Sequence, residues 1–353
     1  MRFGVFRTTT YFVGVTSWLF VAEHTLAKPA SLSDDLDKLN VRHRTEHYAI
    51  AGTITDPRLA EYGRCLEYIY KEYAKGFSEL LAAAPSVNAG VLPRPPDKTP
   101  NRRQSSKGNV GSTPRQNPNT ERRAPEEGVP AIIAQVSSPG DADTRFPVIV
   151  FAKEEEYLEF SKKYFAGDLE HSRGAFVPTL KLLIVRDDPN SNETYETLFH
   201  EAFHQFAFEY IRMLPTWLNE GLATYYGIAR PTESGLAFDR PALAYFQIVR
   251  KAQAAKLLVP LRDLMLMSRA EFYEQSEVGK LSITYQALCY GQAYTLVAYI
   301  LNNQAGATHL RLFLKDLADA KSANEVQKTT DRYFDKKLLD AMATEWLIFC
   351  QKH

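Results

Sequence analysis

The feature that most constrains this chain is an uninterrupted stretch, residues 194–214, that carries two histidines and a glutamate at fixed spacing. Neither glycine nor proline occurs in it, and apolar side chains recur at helical intervals, so it is predicted to begin with a buried helix. Within it, His200, Glu201 and His204 form the pattern H-E-x-x-H. Residues four apart lie one above the other on a helix, so both imidazoles can face one metal ion.

Glu201 follows His200 by one residue and is rotated from it by about 100° around the helix axis. It therefore flanks a metal ion rather than binding it, and can serve as the general base toward a zinc-activated water. Catalytic zinc usually takes three protein ligands. A second helix is predicted to begin at Pro215, and Glu220 then lies about one turn into it. The sequence predicts one zinc ion per chain, held by His200, His204 and Glu220.

Two other interpretations of this motif stay open. In the first, the histidines are core residues beside a surface glutamate, although burying them without a metal is costly. In the second, the protein is a non-catalytic binding module on a peptidase-like fold, which grips a partner or a cell-wall polymer. The intact set of ligands and base argues against the second interpretation, since a protein that has lost its activity is free to lose a ligand.

The N-terminus has the pattern of an export signal over residues 1–27. Arg2 and Arg7 precede an apolar run that is too short to span a bilayer comfortably, and small residues stand at the two positions that a signal peptidase reads. Export to the periplasm or medium is therefore expected. A retained membrane anchor and a buried N-terminal helix are the alternatives.

The rest of the chain divides into three parts. Residues 28–84 are expected to form a strand and a helix of the peptidase-like domain, and residues 131–353 its catalytic region. Between them, residues 85–130 are rich in Pro, Asn, Arg, Ser and Gly and nearly lack large apolar side chains. Such a segment cannot bury enough surface to offset its ordering entropy, so it is predicted to be a disordered insertion.

Charge, hydropathy and cysteine content give no reason to expect a nucleic-acid-binding protein, a transmembrane protein or a cysteine-based metal site. Lysine plus arginine and aspartate plus glutamate both number 42, so the net charge of zero gives no reason to expect a nucleic-acid partner. No segment after the signal is apolar and long enough to predict a transmembrane span. Cys65, Cys289 and Cys350 match no metal-binding spacing, so buried free thiols are expected, with one disulfide as the alternative.

Hydrophobic periodicity predicts an α+β fold, with a small N-terminal sheet and its helices preceding a mainly helical half. Strands are expected at residues 46–54, 131–136, 146–151, 175–177 and 181–185. Helices are expected at residues 56–83 and 154–165, and beyond Asp187 the chain is predicted to be mainly helical, with helices at 288–303, 309–317 and 338–349. His309, at the start of one of these, is expected to face solvent or cap the helix.

The segments HEAFHQF and LPTWLNEGLATYY resemble the gluzincin zinc metallopeptidases. NEGLATYY is similar to aminopeptidase-N-like enzymes, where the glutamate of N-E-G is the third zinc ligand, which maps that role to Glu220. The gap from His204 to Glu220 is a few residues shorter here, and no clear G-x-M-E-N motif occurs. The closer resemblance, from about residue 43 onward, is to compact peptidase-MA-like proteins, a domain family of unknown function in exported bacterial proteins. It implies a zincin-like fold and hydrolysis of peptide or protein substrates.

A peptidase also needs a group that stabilises the developing oxyanion. In related gluzincins a tyrosine or histidine from the C-terminal half serves, and the candidates here are Tyr285, Tyr290 and Tyr294. Tyr290 opens the stretch YGQAY, which resembles the family's pattern, so it is the candidate catalytic tyrosine. Because apolar residues recur at helical spacing around it, a packing role for this side chain is the alternative.

Overall fold

The structure is a computed structural model that describes residues 41–78, 145–165, 169 and 172–353. The predicted signal peptide, the predicted insertion at 85–130 and the predicted strand at 131–136 lie outside these residues.

A mixed sheet of five strands forms the N-terminal part of the fold. The strands are β1 (Val41–Arg44), β2 (Tyr48–Gly52), β3 (Phe146–Phe151), β4 (Gly174–Val177) and β5 (Leu182–Arg186). Their order is β1-β2-β3-β5-β4, in which β2, β3 and β5 run parallel while β1 and β4 are antiparallel edge strands. The three parallel strands are almost fully buried, as expected of a sheet with both faces covered.

Successive side chains of each strand point to opposite faces of the sheet, so each face packs into a separate hydrophobic core. On one face, Ile149 and Ile184 pack against helix α2 (Glu154–Phe165). On the other, Val148 and Val150 belong to the main core together with α1 (Asp56–Gly76) and α3 (Glu193–Tyr210). The helix that carries the H-E-x-x-H motif is therefore fixed against the sheet.

The remaining helices form the second half of the molecule. They are α4 (Thr216–Gly227), α5 (Leu243–Ala254), α6 (Leu261–Leu266), α7 (Arg269–Phe272), α8 (Tyr285–Leu301), α9 (Gln304–Leu317), α10 (Ala323–Tyr333) and α11 (Lys336–Lys352). α4 packs between α3 and α8, and α8 in turn contacts α5, α9 and α11. α8 is thus the central helix of this half, and α4 links it to the motif helix.

The predicted α+β class is confirmed, with a small sheet followed by a mainly helical half. A short hairpin, β6 (Arg230–Thr232) and β7 (Gly235–Ala237), was not predicted, because three-residue strands are too short to show alternation. The prediction for His309 was wrong. It lies within α9, which begins at Gln304, and its Nε2 is 2.9 Å from the carbonyl oxygen of Tyr333.

All three cysteines are free and buried, as predicted. Burial raises the pKa of the Cys65 and Cys350 thiols to about 11 and that of Cys289 to about 12, so they stay protonated at neutral pH. Within the part of the chain that the structure describes, no helix is long and apolar enough to cross a membrane.

Candidate metal centre

The motif helix α3 is held in place by its apolar face and by one buried amide. Phe199, Phe203 and Phe206 are fully buried against the sheet and α1. The side-chain nitrogen of Gln205 donates to the carbonyl oxygens of Pro147 at 2.9 Å and Lys181 at 2.8 Å. The helix therefore has a fixed rotation and height relative to the sheet, and its opposite face presents the two histidines to α4.

The return of the chain after α3 brings Glu220 to the histidines. α3 ends at Tyr210, Pro215 precedes the first residue of α4, and Glu220 follows one turn later. Pro215 was predicted to start this helix, and it stands at its cap because its fixed φ is compatible with helix entry. Glu220 is fully buried. A buried carboxylate requires compensation by charge or hydrogen bonds, and the surrounding residues supply both.

His200, His204 and Glu220 converge on one point. Nε2 of His200 is 3.4 Å from Oε2 of Glu220, and Nε2 of His204 is 3.7 Å from Oε1. The ligand atoms of all three side chains lie within 4.8 Å of one another. Four atoms bound about 2.1 Å from a tetrahedral zinc are themselves about 3.4 Å apart. The separations therefore suit a shared zinc ion and exceed the length of an ordinary hydrogen bond.

Asn219 orients His204. Its Oδ1 lies 3.1 Å from Nδ1 of His204, so Nδ1 carries the proton and Nε2 directs its lone pair toward Glu220. A hydrogen bond of this kind is the usual support of a metal-binding histidine. Nε2 of His200 is buried and makes no hydrogen bond among the described residues. Both imidazoles thus present a nitrogen to the same space.

Two tyrosine hydroxyls hold the carboxylate of Glu220. Tyr273 donates to Oε1 at 2.8 Å and Tyr290 donates to Oε2 at 2.8 Å. Burial raises the pKa of both phenols well above their usual value, with the nearby Glu220 carboxylate adding to the effect. The hydroxyls therefore remain donors at neutral pH. The structure brings the predicted residue Tyr290 to the site, where its hydroxyl contacts the predicted ligand Glu220.

Glu201 lies beside this centre and faces the edge of the sheet. Its side chain is buried, and Oε2 accepts a hydrogen bond of 2.8 Å from the backbone amide of Phe176 in β4. The amide is available because Phe176 belongs to an edge strand, where alternate N–H groups point away from the sheet. The predicted base is thus fixed by the sheet, whereas the predicted ligands are fixed by helices.

The three candidate ligands differ in their tendency to carry a charge. Burial lowers the pKa of His204 to about 3, and the nearby Glu220 only partly opposes this. Burial also disfavours the charged form of His200, but contacts with Glu220 and Glu201 outweigh it and raise its pKa. For Glu220, the histidines and Tyr273 overcome the effect of burial and lower the pKa to about 2. Glu220 is therefore ionised, as a metal ligand must be.

His200 is the least buried of the three candidate ligands. Its side chain is 12% exposed, whereas those of His204 and Glu220 are 0% exposed. Its Nε2, which faces Glu220, is itself buried, so the exposed part of the ring lies away from the point where the three side chains converge.

Glu46, His47 and Glu67 form a second cluster of possible metal ligands, but His47 and Glu67 are hydrogen-bonded to each other. Nδ1 of His47 is 2.8 Å from Oε2 of Glu67, and the backbone amide of His47 donates to Oε1 of Glu67 at 2.7 Å. The imidazole also stacks on Tyr70, and the third member, Glu46, is exposed. These contacts are normal hydrogen bonds that tie the β1–β2 turn to α1, so they need no metal.

Comparisons with known proteins do not add a family. Neither the models of known protein families nor the curated protein sequences include a match to this chain. The geometry of the centre is therefore the feature of this chain that indicates a function.

Three contacts of this centre were not predicted from the sequence: those of the hydroxyl of Tyr273, the amide of Phe176 and the side chain of Asn219. Tyr273 follows the one-turn helix α7, whose Ser268 and Glu271 form a capping box. The capping pattern is visible in the sequence, but it does not indicate which residue the end of the helix brings to the ligand.

Proposed function

We propose that this protein is a zinc-dependent peptidase with a zincin-like catalytic region, in which His200, His204 and Glu220 bind the metal and Glu201 is the general base. The observation that carries the proposal is the convergence of the imidazoles of His200 and His204 on the ionised, fully buried carboxylate of Glu220. The separations between their atoms suit a shared zinc ion. Without a metal, the tyrosines still compensate the Glu220 carboxylate, but Nε2 of His200 is buried 3.4 Å from Oε2, beyond the length of a good hydrogen bond, which is costly.

When bound, zinc acts as a Lewis acid that polarises the substrate carbonyl and makes water more acidic. The residues of the chain supply the proton transfers and the orientation. Glu201 takes a proton from the attacking water and later returns it to the leaving amine. The hydrogen bond from Phe176 holds the Glu201 carboxylate in one orientation, so the base is preorganised. Asn219 and the two tyrosines fix the orientation of the ligands.

The oxyanion role of Tyr290 stays a prediction. Its hydroxyl donates to Glu220 and the residue is fully buried, which supports a positioning role. We also propose that the protein is exported and acts on peptides or proteins outside the cytoplasm; N-terminal sequencing of the mature protein tests this, with a start near Lys28 expected.

The test compares Glu201→Gln, Glu220→Gln and the wild type in zinc content and in turnover of a peptide found by a broad library digest. Glu201→Gln retains shape but loses basicity, so zinc should remain while turnover falls by about 10²–10⁴-fold or more. Glu220→Gln weakens a ligand, so zinc and turnover should fall together. Glu209→Gln is the control, because Glu209 lies on the same helix and pairs with Lys181 away from the centre.

Two results would contradict the proposal. Hydrolysis by Glu201→Gln at the wild-type rate would remove the general base from the mechanism. A zinc-loaded wild type that cleaves nothing in the library would favour the binding-module interpretation.

A further inference from the structure

Glu220 is held from two separate parts of the helical half. Tyr290 lies in the first turns of α8, and Tyr273 directly follows α7. Their hydroxyls donate to different oxygens of the same carboxylate, each at 2.8 Å. Each oxygen therefore has one tyrosine as donor, and Oε2 and Oε1 also face the Nε2 atoms of His200 and His204 respectively.

These hydrogen bonds leave few lone pairs of the Glu220 carboxylate available to a metal ion. A carboxylate has about four lone-pair sites, two on each oxygen. The tyrosines occupy one site on each oxygen, and the side-chain amide of Asn219 makes a longer contact of 3.4 Å with Oε1. Donors on both oxygens also oppose rotation of the carboxylate about its last bond, because any rotation lengthens both hydrogen bonds.

We propose that Tyr273 and Tyr290 form a positioning pair that fixes the carboxylate plane of Glu220 and thereby sets the affinity of the centre for its metal. The inference rests on the proposed metal site and concerns how strongly that site binds. Neither hydroxyl needs to touch substrate for this role. Outer hydrogen-bond partners of metal ligands commonly contribute about 10–100-fold to metal affinity.

The two tyrosines reach Glu220 from unequal surroundings. Tyr290 is fully buried in a long central helix and packs edge-on against Phe272. Tyr273 is only half-buried, and the guanidinium of Arg269 lies 5.4 Å from the centre of its ring. Contact between this cation and the aromatic face helps to hold the more exposed ring over the ligand. The pair therefore has a rigid member and a member at the solvent boundary.

The experiment measures zinc affinity by competition with a chromophoric chelator for Tyr273→Phe, Tyr290→Phe and the double variant. Each substitution removes one oxygen atom and keeps the ring. The control is Tyr294→Phe, one turn further along α8, whose hydroxyl accepts from the backbone amide of Ala242 at 3.0 Å. Thermal unfolding of the metal-free proteins shows that each variant folds. Cobalt(II) replaces zinc in a second measurement, because its visible absorption reports the geometry of the ligands.

Each single variant should bind zinc about 10–100-fold more weakly than the wild type and shift the cobalt spectrum. The double variant should lose less than the product of the single losses, since both hydroxyls act on one carboxylate. Tyr294→Phe should match the wild type in both measurements. Should one single variant fail to fold, the other decides the matter, since each is expected to weaken binding.

Wild-type affinity and an unchanged cobalt spectrum in a folded single variant would overturn the positioning pair while leaving the metal site intact. Equal weakening by Tyr294→Phe would also overturn it, because the effect would then come from packing. A wild-type protein that binds no zinc would instead refute the proposed function, and the pair with it.

Discussion

The substitution Gly221→Ala tests whether the position of Glu220 depends on close packing of α4 against α8. A Cβ atom at this position would lie 2.7 Å from the carbonyl oxygen of Ala293, 3.0 Å from its carbonyl carbon and 2.8 Å from Cγ2 of Val297. The nearest atom belongs to the backbone of the central helix, so it cannot rotate away. Relief requires α4 to move outward by about 0.7 Å, since ordinary contact begins near 3.4 Å.

Two opposing effects decide what this displacement does to stability. Overpacking costs about 1–3 kcal/mol. Alanine in a helix interior is favoured over glycine by about 1 kcal/mol. The net change in the free energy of unfolding is then between about 0 and 2 kcal/mol, which shifts the unfolding temperature by only a few degrees in a chain of this size. Stability alone is therefore a poor measure of this contact.

Zinc affinity is the sensitive measure. Glu220 precedes Gly221, so a shift of α4 away from α8 changes the distances of the carboxylate from the histidines on α3 and from Tyr290 on α8. Metal–ligand bond lengths tolerate only about 0.2 Å. We expect Gly221→Ala to weaken zinc binding by about 10–100-fold, as for the loss of a group that orients a ligand.

The assay is chelator competition on purified protein, with thermal unfolding of the metal-free form measured beside it. Gly235→Ala is the matched control, because a Cβ atom there would meet nothing within 4 Å. It should leave zinc affinity unchanged. Wild-type zinc affinity in a Gly221→Ala protein that unfolds at a raised temperature would refute the reasoning, since α8 would then not set the position of the ligand.

Three further predictions follow from the site and the sequence. His204→Ala should lose most of the zinc, because two remaining ligands bind it weakly; full occupancy by metal analysis would disprove the assignment. In metal-free protein the pKa of His204 is lowered to about 3, chiefly by burial, so the unfolded chain binds an extra proton below its own pKa of 6.5. The free energy of unfolding is therefore expected to fall by about 1.4 kcal/mol for each pH unit below pH 6.5. Denaturant titrations at several pH values should show this slope, and His204→Gln should reduce it. Deleting residues 88–126 should preserve cooperative unfolding and zinc content, because their composition lacks core-forming residues; insoluble protein would contradict this.

The motif residues could be predicted because their relation is local. His200 and His204 meet through the geometry of one helix, which is independent of the rest of the fold. Glu220 required only one more step, a helix restarted at Pro215 after a short return. The class of fold was also predictable, since strand alternation and helical periodicity are properties of short windows.

The supporting contacts could not be predicted because they join distant parts of the chain. Tyr273 and Glu220 are 53 positions apart, and Tyr290 and Glu220 are 70 apart. Tyr273 lies beyond a one-turn helix, where too few residues exist to show periodicity. The donor from Phe176 is a backbone amide, so the identity of the side chain carries no information about it.

The two halves of the fold hold different parts of the proposed chemistry. The proposed base, Glu201, is oriented by the edge strand β4, whereas the proposed ligand, Glu220, is oriented by α7 and α8. α3 is shared, since it carries both histidines and the base. Changes in the contacts of α8 should therefore act first on metal affinity, while changes at β4 should act on proton transfer with the metal still bound. Because α3 is anchored to the sheet through Gln205, the helical half can adjust the ligand without displacing the base.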